Sequence, residues 1–174
     1  KAIYGLVMSS LLWYELFSLT LKGLGFKINP YDYCVANAPI DGSQCTVGWF
    51  VDDTMIAHLK PTVVDLIIEK IESKFGKMSI TRGKTHEFLG MTITFNGNGT
   101  ASIHMPTYIQ SSIDESGLTI DRTMPTPCAN SLFNISTDSP LLDKQRAERF
   151  HRVVARLIYV GTRARTDIML ALSF

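Results

Sequence analysis

Two adjacent carboxylates, Asp52 and Asp53, lie in the middle of the run Thr46-Val47-Gly48-Trp49-Phe50-Val51-Asp52-Asp53-Thr54-Met55-Ile56-Ala57-His58. Apolar and β-forming residues flank the pair on both sides. That pattern predicts two strands joined by a tight turn with both aspartates at its tip. A turn between buried strands is an unfavourable place for two like charges, and a cation between them removes the conflict. Mg²⁺ prefers carboxylate oxygens and organises phosphoryl and nucleotidyl transfer. Successive strand residues face opposite sides, so at most one of the two can point straight at a shared ion unless the turn rotates the other. The same residues are ordinary turn formers, and a solvated Asp-Asp turn without chemistry stays open at this level.

Other chemistry-bearing patterns are weaker. Gly83-Lys84-Thr85 has the end of a phosphate-binding P-loop, but that motif needs a glycine five positions before Gly83, where Met78 stands. An aspartic protease built on Asp53-Thr54 fails because Met55 stands where that motif needs glycine. Cys34, Cys45 and Cys128 are odd in number, widely spaced and form no CxxC pair, which argues against a disulfide framework and a structural zinc site. A reducing compartment is the default. Asn98-Gly99-Thr100 and Asn134-Ile135-Ser136 match the glycosylation sequon, but nothing else in the chain suggests secretion.

Elements that must position the aspartates follow from periodicity. A helix is predicted from about Ser9 to Lys22, with Leu12, Leu16, Leu19 and Gly23 near one apolar face, Trp13, Phe17 and Leu24 beside it, and Gly23 and Gly25 ending it. Tyr33 to Ala36 reads as a short strand beside the hairpin, and Asp41-Gly42 as a turn. Residues 61–76 read as a second helix opened by Pro61 and closed by Gly76. Val64, Leu66, Ile67, Ile68, Ile71 and Phe75 supply its apolar face. Phe88 to Phe95, the turn Asn96-Gly97-Asn98-Gly99 and Ala101 to His104 read as a second hairpin. A short helix over Tyr108–Ser116 precedes a Thr-, Pro-, Ser- and Asn-rich connection at 117–142. A helix then returns from Asp143 to about Thr162, carrying Phe150, Val153, Val154, Leu157 and Ile158. Its other faces hold Lys144, Arg146, Arg149, Arg152 and Arg156, with Arg163 and Arg165 just beyond. These basic residues suit either a phosphate backbone or plain solvation.

The chain of 174 residues can bury one sizeable core, or a core and a smaller lobe. Its 45% hydrophobic and 19% charged content describes a soluble globular protein rather than a disordered one. A net charge of +1 means that any nucleic acid would have to be held by local basic patches. No apolar run reaches the length of a membrane span, and the start has no signal-peptide layout. Lys1 opens the chain without a methionine and Phe174 closes it inside an apolar stretch, so a piece of a longer protein is expected.

Several blocks carry a family resemblance. Phe50-Val51-Asp52-Asp53 resembles the aromatic-x-Asp-Asp signature of reverse transcriptases. Lys1-Ala2-Ile3-Tyr4-Gly5-Leu6, then Ser9, then Trp13-Tyr14-Glu15, resembles the Lys-Ala-Leu-Tyr-Gly-Leu-Lys-Gln-Ser…Trp-Tyr block of copia-type LTR-retrotransposon enzymes. Val7 and Met8 depart from that block. Gly25-Phe26 with Asp32-Tyr33-Cys34-Val35, Phe88-Leu89-Gly90 before an alternating strand, the step Thr126-Pro127, and His151-Arg152…Leu157-Ile158-Tyr159…Thr162-Arg163-Ala164-Arg165-Thr166-Asp167-Ile168 continue the resemblance in family order. In the last block Thr166 replaces the usual proline.

The resemblance implies an α+β fold: a polymerase palm-like antiparallel sheet packed with helices, followed by a mainly helical thumb-like region. Fingers and first palm strand would be absent. Residues 1–105 would be a partial palm with the aspartate hairpin and a primer-grip hairpin, and 106–174 a connection and thumb-like region. Implied is an RNA-directed DNA polymerase in which a primer 3′-hydroxyl attacks the α-phosphate of a dNTP. Asp52 would be the direct metal ligand and Asp53 a supporting acid, with two Mg²⁺ ions, or Mn²⁺ in their place. Tyr4, Gly5 and Phe50 would line the nucleotide and template side, Phe88, Leu89 and Gly90 would hold the primer, and Arg152 and Arg156 would meet the nucleic-acid backbone. Lys77 and Lys84 are simplest as surface lysines, with protonation of the leaving pyrophosphate as the other option. Partners implied are an RNA or DNA template with primer, dNTP and the upstream part of the same polyprotein, with no membrane. The setting implied is intracellular: cytoplasmic or particle-associated, with a nuclear phase open to it. The family's third catalytic acid sits on a strand before the Lys1 block, so the chain alone is expected to be inactive. A non-catalytic nucleic-acid-binding remnant of a decayed retrotransposon is the alternative.

Overall fold

A computed structural model describes residues 7–134 and 136–173. Turn chemistry shapes its first sheet. Strands β1 (Lys27–Ile28), β2 (Val35–Ile40), β3 (Ser43–Phe50) and β4 (Asp53–Ala57) lie side by side in chain order, all antiparallel. Asp41 and Gly42 both have positive φ, 51° and 77°, the backbone of a two-residue loop whose twist matches its strands. That loop pairs Ile40 with Ser43. The strand expected over Tyr33–Ala36 begins instead at Val35 and runs to Ile40. The Asn29 carboxamide accepts from the Tyr31 amide (2.8 Å) and the Asp32 carboxylate from the Cys34 amide (2.9 Å). These local bonds turn the chain at 31–33, and the Cys34 carbonyl already accepts from the Trp49 amide of β3 at 2.9 Å.

Register puts Ala36 opposite Val47, Ala38 opposite Cys45, Trp49 opposite Thr54 and Val47 opposite Ile56. By strand alternation these residues share one face, and Ala36, Ala38, Cys45, Val47 and Trp49 are buried on it. Helix α1 (Val7–Gly23) contributes Phe17 and Leu21 to that core, and α2 (Pro61–Phe75) contributes Val63, Ile67 and Ile71. Each such side chain stabilises the fold by about 1.5–3 kcal/mol.

Two expected helix faces are corrected. Leu12, Leu16 and Leu19 are exposed, and α1 buries Phe17, Ser18, Thr20 and Leu21. This helix is apolar almost all round, so spacing alone does not choose its inner face. The ring contacts of Phe17 with Trp13 (4.8 Å), Trp49 (5.3 Å) and Phe75 (5.6 Å) show which side packs. On α2 the inner row is Val63, Ile67 and Ile71 at i, i+4 and i+8, and Leu66 is exposed.

The chain divides into two compact units between Thr81 and Arg82. The second hairpin therefore groups with the C-terminal helices, whereas the expected domains separate them after residue 105. Strands β5 (Thr85–Phe88), β6 (Met91–Phe95) and β7 (Ala101–His104) form an antiparallel meander. The strand expected to run unbroken from Phe88 to Phe95 is interrupted. Leu89 and Gly90 have φ of 54° and 71° and form a two-residue turn that pairs Phe88 with Met91. Helix α3 (Pro106–Ser116) ends at Gly117, and α4 (Lys144–Gly161) starts at Asp143, whose carboxylate accepts from the Arg146 amide at 2.9 Å. Met105, Ser112 and Val160 are the most buried side chains of this unit. A 3-10 turn (Thr166–Ile168) and α5 (Met169–Leu172) follow. The architecture is α+β with antiparallel sheets. No helix among the described residues is long and apolar enough to cross a membrane.

Glu115 fastens α3 to α4. Its carboxylate accepts from Arg152 Nε at 2.8 Å and lies 4.0 Å from the Arg156 guanidinium. The Arg152 hydrogen bond, reinforced by that residue's charge, holds the Glu115 carboxyl below the usual carboxylate range. The unfolded chain then binds the proton more tightly, so this fastening is fully present above the ordinary glutamate value. It is lost as pH falls through the lowered folded value. Chemical denaturation at stepped acid pH, followed by circular dichroism, should show a shallower acid loss of stability in Glu115→Gln than in the parent chain.

Candidate functional site

The aspartates sit where β3 turns into β4. Phe50 pairs with Asp53, so the two-residue loop is Val51-Asp52. Asp53 is the first residue of β4 rather than part of the tip. This one-residue shift answers the orientation problem: Asp52 leaves strand alternation, while Asp53 keeps it. Trp49 is buried at 2% exposure and its neighbour Phe50 is 53% exposed. Asp53, opposite Phe50, therefore belongs to the face away from the helices. Gly48 and Met55, a pair on that same face, come next along the strands. A Cβ built on Gly48 meets no described atom within 4 Å, so among the described residues nothing packs on this face beside the carboxylates. Farther along, Thr46 donates to Asn37 Oδ1 (2.8 Å), and Gln44 donates to both (3.1 and 3.2 Å).

Val51 carries φ of 51°. A β-branched residue in the left-handed region is strained, and strain of this kind is retained where the surroundings over-determine it, often at functional sites. Val51→Gly is expected to raise unit stability by about 0.5–1 kcal/mol in urea titration, the relief of strain exceeding the added freedom of the unfolded chain.

Carboxylate oxygens are the donors Mg²⁺ takes, so Asp52 and Asp53 fit that ion by chemistry. By number they do not complete a cage: among the described residues no group of three or more His, Cys, Asp or Glu side chains could hold a metal ion.

Phe88, Leu89 and Gly90 come together at the β5–β6 turn. Tyr159 Oη donates to the Leu89 carbonyl at 2.8 Å, and the Tyr108 ring lies 2.9 Å from where a Gly90 Cβ would stand. Periodicity marked Tyr108 only as a helix start and Tyr159 only within a family block. Arg152 and Arg156 are engaged inside the chain, Arg152 on Glu115 and Arg156 on Glu115 and the Ser111 carbonyl (3.1 Å). Lys77 pairs with Glu72 at 3.0 Å. That carboxyl is held below its usual range first by the Met78 amide and then by Lys77. The contact gives Lys77 a local role at the end of α2. Tyr4 and Gly5 lie outside the described residues.

Residues 1–130 match the family described as reverse transcriptase (RNA-dependent DNA polymerase). The chain belongs to the reverse transcriptase family. It is also 26% identical over 166 residues to a Saccharomyces cerevisiae protein attributed to transposon Ty5-1, covering 95% of this chain and 53% of that protein. The chain thus spans about half the length of the curated relative it matches. No solved structure shows significant similarity to it. Both matches bear out the resemblance to copia-type retrotransposon enzymes that the sequence blocks carry. The stretch Phe50–Asp53 that resembles the aromatic-x-Asp-Asp signature spans the end of β3, the Val51-Asp52 loop and the first residue of β4.

Proposed function

We propose that this chain is the part of an RNA-directed DNA polymerase that carries two of its catalytic acids and its primer-holding hairpin. The first unit is read as a partial palm and the second as primer grip with a helical, thumb-like region. The observation that carries this reading is the Val51-Asp52 turn, which frees Asp52 from the sheet and leaves Asp53 on an open face. Asp52 would hold metal directly and Asp53 would support it. When bound, Mg²⁺ would activate the primer 3′-hydroxyl and neutralise charge on the leaving pyrophosphate. Phe50 offers an exposed aromatic surface beside the carboxylates for a base or sugar. The Leu89-Gly90 turn brings backbone close to the primer end. A third carboxylate from an upstream strand would complete the ligand set. The exposed Leu12, Leu16 and Leu19 face of α1 is where we place that upstream part.

Mg²⁺-dependent primer extension on an RNA template tests the reading, with the chain as it stands and extended upstream in its polyprotein. Extension by the longer form alone supports it. Template binding without extension by either form replaces it with a binding remnant.

A further inference from the structure

An unbroken chain of contacts runs from α4 to the Leu89-Gly90 turn. Tyr159 Oη donates to the Leu89 carbonyl across 70 residues of sequence. Tyr108, from α3, stacks on the Tyr159 ring at 4.9 Å with the planes 22° apart, and it fills the space a Gly90 side chain would need. The Arg163 guanidinium carbon lies 3.6 Å from the Tyr159 ring centroid. A ring has two faces, and at these distances Tyr108 and Arg163 must take one each. Leu89 itself has positive φ, a conformation that persists only when neighbours hold it.

Arg163 differs from the other arginines near it. Arg152 and Arg156 face Glu115, and Arg165 makes a two-pronged pair with Asp167 (2.8 and 2.7 Å). Among the described residues, Arg163 donates only to neutral acceptors, the Tyr159 carbonyl (3.4 Å) and the Thr162 hydroxyl (3.1 Å), and it is exposed. Its charge is therefore held in place by an aromatic ring, with no carboxylate partner among the described residues. A guanidinium fixed this way loses little freedom when it meets an anion, and its planar fork suits a phosphate.

We propose that Tyr108 and Tyr159 are positioning residues that seat the Leu89-Gly90 turn, and that Arg163 contacts a backbone phosphate of the strand held there. The second half rests on the polymerase reading above. The seat couples turn and cation through one side chain, so the primer-holding element and its phosphate contact move as a unit.

Two measurements test it. Amide hydrogen exchange on this chain needs no nucleic acid. Tyr159→Phe keeps the ring stack and removes one hydrogen bond, so exchange at Leu89–Met91 should accelerate roughly fivefold while other strands stay unchanged. Unchanged exchange there overturns the seat. Binding of a primer–template duplex by the upstream-extended polymerase, followed against salt, reads the cation. Arg163→Gln should lower the slope of log K against log salt by about 0.9, with Arg165→Gln as the paired-arginine control. Binding by the parent with an equal slope in Arg163→Gln overturns the phosphate contact. If the parent neither binds nor extends, the polymerase reading falls and the contact with it, and exchange still decides the seat.

Discussion

Asp52→Asn is expected to lower Mg²⁺-dependent extension by the upstream-extended polymerase by roughly 10³-fold, about 4 kcal/mol of transition-state stabilisation. The amide keeps the size of the side chain and removes the charge that would hold the ion. Asp52 is exposed on a loop, so its replacement removes no packing. A matched urea midpoint in the variant would show that the loss is chemical. Asp53→Asn should have a smaller effect, roughly 10–100-fold, if Asp53 supports the ligand rather than binding directly. Equal losses at both positions would assign both to the metal. An unimpaired Asp52→Asn would remove this turn from the chemistry altogether.

Trp49→Ala is expected to destabilise the first unit by about 3–5 kcal/mol in urea titration. Trp49 is 2% exposed and lies directly before Phe50 in β3. Its ring meets Phe17 edge-on at 5.3 Å and Tyr14 at 6.3 Å. Removing it empties the layer between sheet and α1 just below the aspartate turn, and a loss of that size is a large fraction of a typical domain's stability. Trp49→Phe should be much milder. It leaves a smaller cavity and also removes an indole N–H that is buried with no hydrogen-bond partner among the described residues. Similar losses in the two variants would mean that ring shape, not filled volume, holds this layer.

Local rules explain why much of the chain could be read from its residues. Asp41-Gly42 closes a two-residue loop because both positions adopt positive φ, and Pro61 and Gly76 bound α2 because one lacks a donor a helix start does not need and the other turns the backbone left. Each depends on residues adjacent in sequence. The Asp52-Asp53 turn was legible for the same reason, to within one residue. Its exact phase was not, because it depends on Phe50 pairing with Asp53, and on Val51 accepting a strained φ that valine itself disfavours.

Residue type and spacing by themselves determined the family, the paired carboxylates, the hairpins and the order of the helices, since those patterns are written in short stretches of chain. Tertiary structure decided which side of the apolar α1 is buried, because a helix with apolar residues spread around most of its circumference has no preferred face until aromatic neighbours pack against it. It also decided that Leu89-Gly90 is a turn held by Tyr108 and Tyr159. It engaged Arg152 and Arg156 on Glu115 and left Arg163 without a carboxylate partner among the described residues. Those outcomes join residues distant in sequence, and the contact energies that select them exist only once the chain has folded.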